Sequence, residues 1–129
     1  YMERPAELHL VVAKKILRYL KGTIGFGVWY KKMNEEAELQ GWTDSDYACD
    51  MDDRKNSTSG YIFAYGAGPI TWSSKKQAIV TLSTTEAEFV AGASCARQAV
   101  WLRRIPDQLG KAQSNGTMIW CDNNSSIKL

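Results

Sequence analysis

The stretch from Ser83 to Leu109 constrains the fold most, because it predicts one long helix with extended segments before and after it. Residues 83–86 read Ser-Thr-Thr-Glu. This is the capping-box pattern, in which Ser83 is the N-cap and the Glu86 side chain reaches back to it. Pro106 is a point at which such a helix can break. Strands around a single long helix favour an α/β domain in which the helix packs on a sheet.

The remaining elements follow from hydrophobic periodicity and turn residues. Strands are predicted over residues 25–30, 39–44, 61–65, 70–74 and 117–121, and helices over residues 5–20 and from Asn123 onward. Gly66-Ala67-Gly68-Pro69 predicts the turn of a hairpin. Residues 79–82 are predicted to be extended and to continue the second arm of that hairpin. From residue 38 the predicted order is strand, strand, strand, helix, strand and helix start.

Composition limits the classes of protein to which the chain can belong. Its 129 residues suffice for one domain, and 44% hydrophobic with 23% charged residues predicts a globular core. A net charge of +2 does not by itself indicate a nucleic-acid binder, so any basic surface must come from local clustering. No stretch approaches the roughly 20 apolar residues of a membrane span. The N-terminus lacks a signal-peptide pattern and the chain does not begin with Met, so we expect it to be part of a longer one.

The cysteines and the histidine suggest neither a disulfide framework nor a histidine-based site. Cys49, Cys95 and Cys121 are odd in number and widely spaced, and no C-x-x-C pair indicates zinc. We interpret them as reduced thiols in an intracellular setting. His9 lies in the first predicted helix without an evident partner, so we interpret it as a helix-surface residue.

Three carboxylates occupy positions where they can converge. Asp44 and Asp122 each end a predicted strand, and Glu88 lies in the first turns of the long helix. Unpaired carboxylates that cluster repel one another, which usually implies bound cations. Oxygen-only ligands favour Mg²⁺ or Mn²⁺, and two such ions about 3.5–4 Å apart serve phosphoryl transfer.

Glu86 and Asp46 compete with Glu88 and Asp44 for these roles. Glu86 has the capping task, and a residue two positions away on a helix points to nearly the opposite side. The stripe that Glu88 shares consists of small or apolar residues that can pack on a sheet: Gly92, Cys95, Ala99 and Leu102. Asp46 has the same strand parity as Asp44 but is predicted to lie in the following loop. Capping and turn formation explain the same carboxylates without a metal, so the residues alone leave both interpretations open.

Six motifs carry a resemblance to one known family. They are GWTDSDYA at 41–48, RKNSTSGY at 54–61, ITWSSKKQ at 70–77, LSTTEAEF at 82–89, WLRR at 101–104 and CDNNS at 121–125. Together they resemble the ribonuclease H (RNase H) region of copia-type (Pseudoviridae) LTR retrotransposon Pol polyproteins. Residues 13–23, AKKILRYLKGT, resemble the segment that ends the reverse transcriptase in those polyproteins. The resemblance covers nearly the whole chain in order.

The resemblance implies an α/β, ribonuclease H-like mixed sheet: an antiparallel three-strand meander, a helix, then a parallel strand. Residues 38–129 would be this domain, incomplete before its last strand and C-terminal helix, and residues 1–37 the reverse-transcriptase tail. The implied activity is endonucleolytic cutting of the RNA strand in an RNA–DNA hybrid with two Mg²⁺ or Mn²⁺. Asp44, Glu88 and Asp122 match the catalytic, metal-holding carboxylates. A fourth ligand would lie beyond Leu129, so we expect weak or no activity from these residues alone.

The resemblance also implies partners and a location. The reverse-transcriptase domain would belong to the same polyprotein, and the protein would lie inside the cell, in cytoplasmic virus-like particles, with no membrane partner. Candidate substrate contacts are Lys75 and Lys76 at a strand end, Ser83 and Thr84 at a helix N-terminus, and Asn123 beside Asp122. Solvent exposure and helix capping are the competing explanations for these residues. Four of the five tryptophans, Trp42, Trp72, Trp101 and Trp120, are predicted to be core residues instead of stacking platforms.

Three alternatives remain at this level. The first is a catalytically inactive retrotransposon-derived fragment that at most binds nucleic acid. The second is an integrase-type transferase, which we disfavour because its last carboxylate is usually a Glu and no Glu follows Glu88. The third is a purely structural interaction module.

Overall fold

A computed structural model describes residues 4–32, 37–48 and 56–128 of the chain. In chain order the elements are α1 (Glu7–Gly22), β1 (Leu39–Asp46), β2 (Thr58–Tyr65), β3 (Gly68–Lys76), α2 (Thr84–Gln108), β4 (Met118–Trp120) and α3 (Asn124–Ile127). The predicted order from residue 38 onward, strand, strand, strand, helix, strand and helix start, is thus confirmed. No helix in the described ranges is long and apolar enough to cross a membrane.

The four strands form one mixed sheet in the order β3-β2-β1-β4. The β1–β2 and β2–β3 pairs are antiparallel, whereas β4 lies parallel to β1. A parallel neighbour requires a crossover connection, and α2 is the main element of that connection. This meander, helix and parallel strand constitute the ribonuclease H-like arrangement that was expected.

The strands β1, β2 and β3 are longer than their hydrophobic patterns predict, because pairing extends into polar sequence, whereas β4 is shorter than predicted. β1 continues to Asp46, which pairs with Thr58 at the start of β2. The prediction that Asp46 lies in a loop was therefore wrong. β3 ends at Lys76, so residues 79–82 do not continue the hairpin arm. At the hairpin turn Gly66 has φ +61°, a left-handed conformation that glycine adopts without strain.

α2 packs on β1 and β2 through small side chains, which bring the helix close to the sheet. The core cluster consists of Leu39, Phe63, Cys95, Ala99 and Leu102. Gly41 of β1 lies beneath the Phe63 ring, and a Cβ at that position would come within 2.6 Å of Phe63 Cε1. The stripe shared by Glu88 therefore faces the sheet as predicted, with residue 92 half-buried.

At the start of α2 the N-cap residue is the predicted one, but the Glu86 side chain accepts from an amide one residue earlier than predicted. Ser83 is the N-cap, and its Oγ accepts from the Glu86 amide at 3.1 Å. The Glu86 carboxylate, however, accepts from the amide of Leu82 at 2.6 Å and not from that of Ser83. The helix also continues through Pro106 to Gln108. Pro106 lies in the final turn, where its missing N–H removes a bond only at the helix end.

The described residues 4–32 contribute no strand to the sheet. None of the residues of α1 is buried. Residues 25–30, predicted as a strand, are irregular. A side-chain contact holds them instead: the Tyr30 hydroxyl donates to the Pro69 carbonyl, and its ring lies against Gly68. At the start of α1, His9 Nδ1 accepts from the Ala6 amide at 2.8 Å, so it has a capping role at the helix surface.

The prediction that the four tryptophans are core residues was wrong. Their side chains are between 40 and 70% exposed. Trp42 pairs with Ile62 on one side and Trp120 on the other, and Ile62 pairs with Trp72. These residues form a row on the sheet face opposite α2, because positions 41 and 43 of β1 are the buried ones. Trp101 lies on the outer side of α2, away from the sheet.

Candidate metal centre

Glu88 occupies the central position of the candidate site. It lies in the second turn of α2 on the side that faces the sheet, and only 6% of its surface is exposed. Its Oε1 accepts from the Ser45 amide of β1 at 3.0 Å. Glu88 was chosen over Glu86 on helix-face grounds, and the structure confirms that Glu88 faces the sheet while Glu86 caps the helix.

The surroundings of Glu88 disfavour its charged form. Burial raises the pKa of the Glu88 carboxyl above its ordinary value of 4.5. The hydrogen bonds from Ser45 oppose this shift in pKa, and the negative charges of Asp44 and Asp122 add to it. A buried carboxylate with two acidic neighbours is stabilised when a cation neutralises it.

Asp122 and Cys121 complete a group around Glu88. Both follow β4, and each of the three side chains offers a ligand atom within 4.8 Å of the others. The Cys121 Sγ is 3.9 Å from Glu88 Oε2. The parallel pairing of β4 with β1 produces this proximity, because parallel strands end at the same edge of the sheet.

Asp44 lies beside this group, not within it. It is exposed, and it alternates with Thr43 and Ser45, whose positions face α2. Its charge still raises the pKa of Glu88. The structure therefore brings Glu88 and Asp122 together directly and places Asp44 on the adjoining edge.

Two carboxylates and one thiol form the group, and a set of this kind can hold a divalent cation. The Glu88 and Asp122 carboxylates supply oxygen ligands. The Ser45 hydroxyl is a buried polar atom without a well-formed hydrogen bond to a described residue. It lies close enough to Glu88 to lower the pKa of that carboxyl, and the Ser45 amide binds Glu88. A hydroxyl of this kind next to a buried carboxylate is a place where a metal-bound water can be held.

Cys121 is the site residue that the sequence analysis missed. Its position directly before Asp122 was the available signal, but a lone cysteine without a C-x-x-C partner did not suggest a ligand. Cys121 and Cys95 are free thiols, as expected, and Cys49 lies outside the described residues. Cys95 is in the core, where burial raises its thiol pKa to about 11.

The predicted substrate contacts fall into two groups. Lys75 and Lys76 are exposed at the end of β3. Ser83 and Asn123 serve as N-caps of α2 and α3, and Asn123 Oδ1 accepts from the amides of residues 125 and 126 at 3.0 Å. Thr84 is the first residue of α2 and is exposed. Capping accounts for Ser83 and Asn123, whereas phosphate contact stays a prediction for Lys75, Lys76 and Thr84.

Comparison with known proteins finds retrotransposon polyproteins. The retrovirus-related Pol polyprotein from transposon TNT 1-94 of Nicotiana tabacum is 41% identical over 129 residues, 100% of this chain and 9% of that polyprotein. The one from transposon RE1 of Arabidopsis thaliana is 42% identical over 123 residues, 95% of this chain and 8% of its own. This chain thus spans less than a tenth of their length.

A shorter relative differs in its name. The secreted RxLR effector protein 161 of Plasmopara viticola is 41% identical over 98 residues, which are 76% of this chain and 68% of that protein. No family model matches the chain, and no solved structure does.

Proposed function

We propose that residues 38–129 are the ribonuclease H domain of a Pol polyprotein, because the chain belongs to the retrovirus-related Pol polyproteins of copia-type retrotransposons. The proposed reaction is two-metal endonucleolytic hydrolysis of the RNA strand in RNA–DNA hybrids during reverse transcription. Residues 1–37 are proposed to be the tail of the reverse-transcriptase domain. We propose this domain and the RNA–DNA hybrid as the partners of residues 38–129. The proposed location is an intracellular particle.

The observation that carries this proposal is the buried Glu88, which lies next to Asp122 and near Asp44 of β1. Glu88 is held by the Ser45 amide, and both Asp44 and Asp122 are close enough to raise its pKa. The core cluster lies entirely between residues 39 and 102, while α1 has no buried residue, which supports a domain boundary near residue 38.

Each residue has a defined part in this scheme. Glu88 and Asp122 would hold Mg²⁺ through carboxylate oxygens, and Asp44 would reach the same ions from the adjoining edge. Such ions, when bound, activate the attacking water and stabilise the leaving oxygen of a phosphodiester. The Ser45 amide fixes the orientation of Glu88, so that its other oxygen points toward Cys121 and Asp122.

Cleavage of a labelled hybrid under single-turnover conditions tests the activity. With protein in excess over a hybrid of 5′-labelled RNA, we expect slow cuts in the RNA strand that require Mg²⁺ or Mn²⁺. Asp122→Asn should reduce the rate on the order of 100-fold or more, because a lost metal ligand removes several kcal/mol of charge stabilisation. Asp107→Asn, an exposed acid at the other end of α2, is the matched control and should cleave normally. Equal cleavage by Asp122→Asn would contradict the assignment.

Substitution of Cys121 tests which metal the site prefers. We expect Cys121→Ser to keep Mg²⁺ affinity within about twofold, because thiolate sulfur is a soft ligand that Mg²⁺ does not seek. The same variant should bind Zn²⁺ or Cd²⁺ roughly 10–100-fold more weakly than the unaltered chain. Isothermal titration calorimetry measures both affinities, with Cys95→Ala as a control that removes a thiol outside the site. Equal losses for Mg²⁺ and Zn²⁺ would show that Cys121 supports the site structurally.

A catalytically inactive, nucleic-acid-binding module is the second candidate function. It is favoured by the position of Asp44 outside the group of Glu88, Cys121 and Asp122. The third ligand atom of that group is the sulfur of Cys121 and not a carboxylate oxygen of Asp44. A relative named as an effector protein also consists mostly of the matching region. Hybrid binding without cleavage in either metal would select this candidate.

A further inference from the structure

A groove of about 850 Å³ runs along the flank of α2 away from the candidate metal centre. It lies between α2 and the β2–β3 hairpin, and we call it the α2–β3 groove. Its lining comes from β2 and β3 (Ser59, Tyr61, Ser73, Lys75, Lys76), from the connection after β3 (Gln77, Ala78, Ile79) and from α2 (Phe89, Val90, Ala93, Ser94, Arg97, Gln98). Two separate elements therefore form opposite walls.

The charged residues in the described lining of the α2–β3 groove are all basic. Lys75 and Lys76 lie on the strand wall and Arg97 on the helix wall, and none of the described lining residues is Asp or Glu. The whole chain has a net charge of only +2. Lys75 and Arg97 on separate walls are thus the local clustering of positive charge that the composition left open, and they attract polyanions.

The other lining residues suit an extended ligand with both charged and flat parts. Phe89, which is 54% exposed, lies on the helix wall, and Tyr61 of β2 also lines the groove. Aromatic faces of this kind stack on nucleobases, and serine hydroxyls such as those of Ser59 and Ser73 donate to phosphate oxygens. A small inorganic anion would use neither the aromatic rings nor the length of the groove.

The floor of the groove is held rigidly between helix and sheet. Gln77 is buried, and its Nε2 donates to Ser59 Oγ at 2.8 Å and to the Ala87 carbonyl at 2.9 Å. These bonds join the end of the hairpin to the first turn of α2. The backbones of the two walls are consequently linked to each other before a ligand binds.

One helix connects the groove to the metal centre. Glu88 faces the sheet from α2, and Phe89 and Arg97 project from its groove flank. An α-helix with side chains is about 10–12 Å across. A nucleic acid that reaches the metal centre can therefore contact the groove at the same time, because Glu88 of the centre and Phe89 of the groove are consecutive residues of α2.

We propose that the α2–β3 groove binds the phosphate backbone of a nucleic-acid strand, with Lys75 and Arg97 as the principal contacts. This inference rests on the proposed function for the identity of the nucleic acid, an RNA–DNA hybrid. The binding itself needs no metal, because the cations of the groove are the protein's own side chains.

A charge-matched pair of double variants tests the groove. Lys75→Ala/Arg97→Ala removes one cation from each wall, and Lys14→Ala/Arg18→Ala removes the same two residue types from exposed α1. Binding of a fluorescent hybrid is measured by anisotropy in EDTA from 50 to 300 mM salt. We expect the groove variant to bind at least tenfold more weakly at 50 mM salt, with the salt slope reduced by about 2. The α1 variant should match the unaltered chain.

The outcomes separate this inference from the proposed activity. Equal losses of hybrid affinity in both double variants, or no loss in either, would overturn the proposal that the groove binds nucleic acid. Competition by polyglutamate as effective as that by unlabelled hybrid would overturn it in favour of an acidic polypeptide. Asp122→Asn should keep full hybrid affinity in EDTA. If that variant and the groove variant behave as expected but the unaltered chain cleaves no hybrid, the groove proposal is supported and the proposed activity is contradicted.

Discussion

Glu88→Gln should abolish Mg²⁺ binding and RNA cleavage and at the same time make the protein more stable at neutral pH. The substitution removes a buried negative charge that Asp44 and Asp122 repel, while the amide oxygen can still accept from Ser45. Replacing such a functional residue commonly adds about 1 kcal/mol to the free energy of unfolding. For a domain of this size that raises Tm by about 4–8 °C.

The stability gain should depend on pH in a definite direction. Burial raises the pKa of Glu88 in the folded chain above its ordinary value of 4.5. A carboxyl of this kind binds its proton more tightly when folded, so its stability contribution is full at low pH and declines as pH rises through the folded pKa. Gln carries no such penalty. The difference in Tm between variant and unaltered chain should be largest near pH 7 and disappear below about pH 4.5.

Thermal unfolding in EDTA at pH 7 and pH 4, with calorimetry of Mg²⁺ binding at pH 7, measures both effects. Glu86→Gln is the matched control, because it makes the same substitution two residues away on the same helix. It weakens the cap at Leu82 and should lower Tm slightly without changing Mg²⁺ affinity. A Glu88→Gln chain that is less stable than the unaltered chain at pH 7 would show that the carboxylate is held favourably without metal.

Phe63→Ala should reduce the free energy of unfolding by about 3–5 kcal/mol. Phe63 is fully buried between α2 and the sheet, and its ring meets Tyr61 edge-on with centroids 5.6 Å apart. Gly41 leaves room for the ring, and no side chain at that position could fill the resulting cavity. A loss of this size is a large part of the stability of an ordinary domain, so partial unfolding at 25 °C is expected.

Urea titration followed by circular dichroism measures this loss, and Ile62→Ala is the control. Ile62 is the preceding residue of β2 but lies on the opposite face of the sheet with 40% of its surface exposed. Its truncation should lower stability by about 1 kcal/mol or less, because little apolar surface leaves water there on folding. Comparable losses at residues 62 and 63 would contradict a core confined to the α2 side of the sheet.

The sequence by itself determined those features that depend on near neighbours along the chain. The identity and order of the elements after residue 38 follow from hydrophobic periodicity, and the start of α2 follows from Ser83 and Glu86. The choice of Glu88 over Glu86 has the same origin, because the two faces of a helix differ in composition within a few residues. These signals act over three or four positions and therefore do not depend on contacts with distant parts of the chain.

Only the tertiary structure decided which side of the sheet α2 covers and which chain segments meet. Strand alternation sorts β1 into two faces but does not say which one is buried, so Trp42 was wrongly predicted as core. The parallel placement of β4 beside β1 brought Cys121 into the group with Glu88, across 33 positions of sequence. Residues 25–30 have strand-like composition but no strand neighbour, because a strand is stable only when another strand satisfies its backbone groups.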